Sequence, residues 1–381
     1  MELRSHERAR QESHGLVVLA RLLALVLVVL SLAGGVAGGL LRACTAPVPD
    51  AMDAWLVSAA VYHAALMIGG FLGTVIAVER AVAVKRRVAF LAPLASSLGG
   101  VAILLSHPVV GAWLLVAASV AFIGVNIIVV RRQNASHTRL LLVGAGAWLA
   151  GNLFLAAGDV SGALPWWFSF LVLTIAAERL DMTRLTRRGP EVEPLLWTIT
   201  AMMLGGAALV PFPSALGGAM FGASLFALAA WLFAFDVARR TVLADGLSRY
   251  MAVCLLTGYG WLMVAGVAWA AMTAGLPTRD AALHALGLGF VVSMMMAHAP
   301  VILPAVTRIK VRVGTFFYVP LAVLNLSLVI RLGFGHADPL VRGLGALMNA
   351  VALGAFAVTI LIAAIAWRVM NNERKTQHKA I

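Results

Sequence analysis

Charge is scarce in this chain. Only 12% of its 381 residues are Asp, Glu, Lys or Arg, about half the fraction of an ordinary soluble domain. Acids are scarcer than bases, 16 against 29. There are two cysteines, Cys44 and Cys254, one in a loop and one within an apolar run, so neither a disulfide framework nor a Cys-X-X-Cys redox or zinc site is expected. No phosphate-binding G-x-x-x-x-G-K-[ST], no His-Glu-x-x-His and no Gly-x-Ser-x-Gly occurs. The polar stretches are too short to hold a soluble catalytic domain, and no catalytic residue stands out.

What is present is apolar sequence: 62% hydrophobic residues and a mean hydropathy of +0.95. Runs of bilayer length recur from end to end, separated by basic or Gly/Pro-rich breaks. The expected fold class is an all-α membrane protein of about twelve transmembrane helices, near 16–39, 54–78, 88–105, 109–130, 139–157, 165–179, 194–210, 214–235, 250–274, 281–304, 315–333 and 340–367. The whole chain, 1–381, reads as one polytopic domain with an arm at 1–15 and a tail at 368–381. The start "MELRSHERARQESHG" is charged and the run after it has no clear cleavage site, so it reads as a first span rather than a removed signal.

The net charge of +13 follows topology. With the N-terminus inside, all the basic residues except Arg42, Arg279, Arg331 and Arg342 fall on the cytoplasmic side, as the positive-inside bias demands. Both termini are then cytoplasmic. The expected partner is the lipid bilayer, in a bacterial-type inner membrane, and not nucleic acid.

Three runs share a pattern. "FLGTVIAVER" (71–80) and "FLVLTIAAER" (170–179) agree at Phe, Leu, Ile, Ala, Glu and Arg. "FVVSMMMAHA" (290–299) places His298 where the others have Glu79 and Glu178. Spans two, six and ten are four apart, which predicts three pseudo-equivalent four-helix units. Arginines at inner helix ends, partly neutralised by Glu, explain part of the likeness as well.

Of nine histidines, His6, His14, His107, His137, His336 and His378 lie in polar segments. His63, His284 and His298 lie within spans, where an ionisable group is costly and commonly functional. His284 and His298 are fourteen positions apart, about 21 Å along a helix and within about 40° of one face. His63 lies about 13 Å into its helix from the outer end, and His284 occupies the first turns of another helix entering from that side. Two imidazoles at similar depth supply the axial ligands of a b-type haem; carbonyl-bonded packing histidines are the plain alternative. Arg331, Arg342 and Arg279, three of the four outer arginines, are candidates for the propionates, since Arg holds carboxylates bidentately; snorkelling to lipid phosphate is their ordinary role. His298, Glu79 and Glu178 form a candidate inner polar cluster, as a salt-bridged plug with Arg80 and Arg179 or as a metal site.

Twelve spans with histidines facing one another from spans two and ten resemble the catalytic subunit of haem–copper oxidases. The closer resemblance is to the NnrS family, haem- and copper-containing membrane proteins of the nitric oxide response. It is carried by "HAALMIGGFLGTVIA" (63–77) and "LHALGLGFVVSMMMA" (283–297), about a tenth of the chain. The resemblance implies haem held by His63 and His284, and a role in handling or sensing a diatomic gas or in electron transfer, with defence against nitrosative stress as its setting. The chain departs from these families where Ala64 and Ala65 follow His63, and where spans six and seven carry no His-His or His-Pro-Glu motif. Copper is thus unsupported by ligands, and oxygen reduction is not expected. Two other classes fit the same topology: a cofactor-free, proton-coupled transporter or permease with His63, His284, His298, Glu79 and Glu178 as relays, and an assembly protein delivering haem or copper to an oxidase.

Overall fold

A computed structural model describes residues 25–44, 53–183, 189–212, 215–307 and 310–379. The arm at 1–15 and the start of the expected first span therefore lie outside the described residues. Among those described there is no strand. A chain with this much lipid-length apolar sequence satisfies its backbone polar groups within helices, because the bilayer core offers no other partners.

Twelve helices among the described residues are long and apolar enough to cross a membrane: α1 Leu25–Cys44, α2 Ala65–Val84, α3 Arg87–Leu104, α4 Pro108–Arg132, α5 Ser136–Ala156, α6 Val160–Met182, α7 Val192–Leu209, α8 Ala215–Phe235, α9 Gly246–Thr273, α10 Arg279–Pro304, α11 Thr315–Phe334 and α12 Pro339–Val369. This is a multi-pass membrane protein. A further helical segment, Ala54–Val61, leads into α2 through a turn at Tyr62. The expected and observed spans agree closely in the second half of the chain. The sixth differs at its start: the sequence reading opens that helix at Pro165, whereas the proline lies inside it. Proline that near a helix start removes few intrahelical bonds, so one more turn precedes it. The backbone helix begun at Pro339 runs on through the expected tail to Lys379.

The chain divides into two compact units. The first comprises residues up to Val125 together with Asn152–Val160; the second comprises Asn126–Gly151 and Ser161–Ile381.

In the first unit buried hydroxyls and amides bond across helices. Ser58 donates to the Ile103 carbonyl at 2.5 Å, Ser96 to the Gly69 carbonyl at 2.8 Å, and Asn152 to the Leu115 carbonyl at 2.8 Å. Without a hydrophobic driving force between helices in lipid, such bonds and close packing hold the bundle.

In the second unit α8 and α9 touch backbone to backbone. A Cβ on Gly222 would come within 2.6 Å of the Gly266 carbonyl, and one on Gly266 within 2.7 Å of the Gly222 carbonyl, so both positions exclude any side chain. Trp148 stacks on Phe170 with ring centres 4.9 Å apart, and Phe221 lies against Trp269 at 4.7 Å. Burial separates the helices: 78% of the most apolar window of α6 is buried and 17% of that of α12. The exposed row Leu340, Leu344, Leu347 and Val351 on α12 is the surface a bilayer covers.

Candidate functional site

The repeated pattern has a structural counterpart in the backbone. In α2 the residues Ala65–Gly73 form a π-helical segment, starting two residues after His63. In α10 the residues Ala285–Val292 do the same, starting immediately after His284. With Phe71 aligned to Phe290, the two segments end at the same position, Gly73 and Val292. Pro165 of α6 falls in that register opposite Leu66 and Ala285, where the π-helical segments begin. Two of the three helices thus become π-helical at one position of the repeat, and α6, α-helical throughout, carries its proline there. π-Helical turns are rare and concentrate at functional sites. A third, Val329–Phe334, surrounds Arg331 in α11. The same register corrects one detail: His284 stands two positions beyond the equivalent of His63, so the repeat does not superimpose the two imidazoles.

Around His284 the second unit builds a connected set of polar contacts. Asp280, four residues earlier and so on the same helical face, accepts from His284 Nδ1 at 2.9 Å. That nitrogen also lies 3.0 Å from the Asp280 carbonyl. Arg331 reaches across from α11 and grips the same carboxylate with both prongs, Nε to Oδ2 at 2.9 Å and Nη2 to Oδ1 at 2.8 Å. Its Nη2 lies 3.2 Å from His284 Nε2 and its Nη1 donates to Asn349 Oδ1 at 3.3 Å. Asn349 in turn donates to Ser327 Oγ at 2.6 Å. Since Arg has only donors, Nε2 of His284 must be the accepting nitrogen and Nδ1 must carry the proton. Arg331 is 8% exposed while the Asp280 side chain is 37% exposed, so the cluster is anchored at the cation and open at the acid. A Cβ on Gly345 of α12 would lie 2.5 Å from Arg331 Cβ; the helices meet where the guanidinium is fixed.

His63 has a matching anchor in the first unit. Its Nδ1 lies 2.6 Å from the Gly35 carbonyl of α1. A carbonyl can only accept, so Nδ1 again carries the proton. A Cβ on Gly39 would come 2.7 Å from His63 Cε1, so the ring rests directly against the α1 backbone. His298 follows the same rule, with Nδ1 2.7 Å from the Met294 carbonyl. Metal-binding histidines usually hold this kind of outer contact, because it fixes the tautomer and orients the ring.

The remaining candidates fall elsewhere. Arg342, at the start of α12, has a buried Nε that makes no hydrogen bond among the described residues. Arg279 is exposed and lines an apolar pocket at the start of α10. Glu79 lies 3.8 Å from its neighbour Arg80, and Glu178 is half-buried. Arg179 is held by Asp236, Nε to Oδ2 at 2.6 Å and Nη2 to Oδ1 at 2.9 Å, with Tyr259 donating to Oδ2 at 2.8 Å and the Ala238 amide to Oδ1 at 2.7 Å. Among the described residues no group of three or more His, Cys, Asp or Glu side chains is arranged to hold a metal ion.

Sequence reasoning did not single out Asp280, Asn349, Ser327, Asp236 or Tyr259. For Asp280 the signal was available: an acid one helical turn before an intramembrane histidine.

A family model described as a domain of unknown function (DUF8744) matches residues 21–365. The chain belongs to this family. No curated protein matches it, and no solved structure does. The DUF8744 match runs from α1 into α12, so the three anchored histidines and both arginine–aspartate pairs lie within the family domain.

Proposed function

We propose that this DUF8744 protein is a haem-binding protein of a bacterial inner membrane, in which the intramembrane imidazoles of His63 and His284 are the residues that would hold a b-type haem. One observation carries the reading: of the three intramembrane imidazoles, all fixed through Nδ1, His63 and His284 are the two that stand at the start of a π-helical segment, in the tautomer that presents Nε2. The residues fit the group in two further respects. The buried, unpaired Nε of Arg342 is a donor in want of an acceptor, which a propionate supplies. The contact between Arg331 Nη2 and His284 Nε2 is weaker than the bidentate grip on Asp280, so Arg331 can release the imidazole and keep the acid. Bound haem supplies one-electron chemistry and a place for a diatomic gas. The chain contributes orientation of the imidazoles, positive charge at the rim and exclusion of water. Were both imidazoles to hold one iron, the chemistry it would supply favours electron transfer or gas sensing over turnover.

The test is a reduced-minus-oxidised optical spectrum of protein purified in mild detergent, with His63→Ala and His284→Ala beside it. Sharp low-spin b-type bands, lost in both variants, are expected. A folded protein that stays colourless after haem supplementation, and is unaffected by either substitution, sinks the proposal.

A second reading is favoured by the Asp280–His284–Arg331 contacts themselves. Carboxylate, imidazole and guanidinium linked between two spans are the parts of a proton relay in transporters. A colourless protein whose reconstituted vesicles take up protons with a co-substrate, and lose that uptake in His284→Ala, belongs to this class.

A further inference from the structure

A pocket in the second unit lies beside the Asp280 cluster but is distinct from it. It is formed where α6 and α10 begin and α7 and α9 end. Its wall is apolar, with Leu164, Met272, Leu283 and Trp269. Trp269 is 3% exposed and held by Phe221 at 4.7 Å and by the edge-on ring of Phe168 at 6.1 Å. Polar groups stand at the rim: Arg279 and Ser161, both exposed. The neighbouring acid, Asp280, is already paired with Arg331, so the lining arginine, Arg279, gives the rim a positive charge. The back wall has no slack, since a Cβ on Gly218 would meet Thr273 Cγ2 at 2.0 Å.

The dimensions restrict the occupant. The volume is about 200 Å³, whereas an apolar cavity of about 150 Å³ accepts benzene and drug-sized ligands need about 300 Å³ or more. A phospholipid or long acyl chain is too large. A single arginine matches one carboxylate, which its fork binds bidentately. The rigid indole favours a flat or compact apolar body.

We propose that this pocket binds a small apolar monocarboxylate, its carboxylate at Arg279 and Ser161 and its ring or short branched chain against Trp269. The site stands apart from the haem reading in its apolar wall and its serine, which lie outside the haem contacts proposed above; Arg279, a propionate candidate from the sequence, is here assigned to the pocket instead.

Equilibrium dialysis of radiolabelled benzoate against the detergent-purified full chain tests this, with Arg279→Gln and Leu283→Trp as variants. Arg279 is exposed, so its substitution leaves the fold intact. Wild type should bind saturably, Arg279→Gln at least about tenfold more weakly, and Leu283→Trp, which fills the pocket, not at all. Benzyl alcohol, the neutral analogue, should not compete. Non-saturable uptake equal in all three proteins overturns the proposal, as does competition by benzyl alcohol as strong as by benzoate. Displacement by laurate more effective than by benzoate also overturns it, assigning the pocket to a membrane fatty acid. Leu164→Trp, which fills the pocket from α6 and touches no residue named for haem, should lose benzoate and keep the optical spectrum, and so separates failure here from failure of the haem reading.

Discussion

The second unit contains two arginine–aspartate pairs with nearly the same bidentate geometry and opposite surroundings. Arg179–Asp236 is sealed: the side chains are 4% and 1% exposed, and the acid's further contacts are filled by Tyr259 and the Ala238 amide. Its arginine stands on a regular α-helix. Arg331–Asp280 is open at the acid, stands on a π-helical turn, and adds an imidazole that bonds both members. A sealed pair whose every contact is made inside the fold is a fastener. A pair that keeps one face open, shares a histidine and sits on irregular backbone is a site. Fold and function thus use the same chemistry, told apart by what else touches it.

The sharpest way to break this comparison is at the sealed pair. Asp236→Ala leaves the Arg179 charge buried without its acid, a change that costs about 3–5 kcal/mol. Thermal unfolding in detergent, followed by fluorescence-detected size exclusion, should show a larger loss of stability than any single substitution at the Arg331–Asp280 cluster. The double substitution Arg179→Met with Asp236→Leu should recover most of it, because replacing a buried pair by apolar groups is often neutral. If Asp236→Ala unfolds no earlier than wild type, the pair is no fastener.

The next effect concerns the helix contact that fixes Arg331. Gly345→Val places two methyl groups where Cβ alone would lie 2.5 Å from Arg331 Cβ and 2.8 Å from its Cα. Overpacking of this kind costs about 1–3 kcal/mol, read in the same melting assay. Unlike Asp236→Ala, it should also displace the guanidinium from His284, so any haem spectrum should shift with it.

These contrasts mark where the sequence was legible. The twelve spans could be read because each is a long apolar run with polar ends, and lipid leaves the backbone no alternative to helix. His63, His284 and His298 could be read because a histidine in such a run is conspicuous. The partners could not. Arg331 is 51 positions from Asp280, and Arg179 is 57 from Asp236; nothing local announces which of several acids an arginine will reach. The π-helical segments are equally silent, as "ALMIGGFLG" and "ALGLGFVV" have the composition of any packed membrane helix. The repeat in 71–80, 170–179 and 290–299 aligns the two π-helical segments of α2 and α10, but nothing in it announced them.

At the open cluster the expected loss is smaller. Asp280→Asn keeps an acceptor for Arg331 but removes the charge. Because the acid is 37% exposed, solvent screening discounts the pair, and a cost of about 1–2 kcal/mol is expected. Function should respond more than stability: one neutral amide oxygen then replaces the carboxylate shared by Arg331 and His284 Nδ1, so the ring is less firmly oriented. A melting shift well under that of Asp236→Ala, together with an altered pigment spectrum or altered proton uptake, would sharpen the distinction. Equal melting losses for the two variants would erase it.

The smallest effect lies furthest from the histidine. Ser327 is fully buried, accepts from Asn349 Nδ2 at 2.6 Å and donates to the Leu324 carbonyl at 2.8 Å. Ser327→Ala strips one acceptor from an amide whose oxygen still faces Arg331. A cost of about 1 kcal/mol is expected, near the resolution of a melting experiment. Its value is positional. If Asn349 only fills space, the spectrum or uptake carried by His284 is unchanged. If the contacts from Ser327 through Asn349 and Arg331 orient the imidazole as a chain, the loss appears there, three side chains away, and Ser327→Thr, which restores the hydroxyl, reverses it.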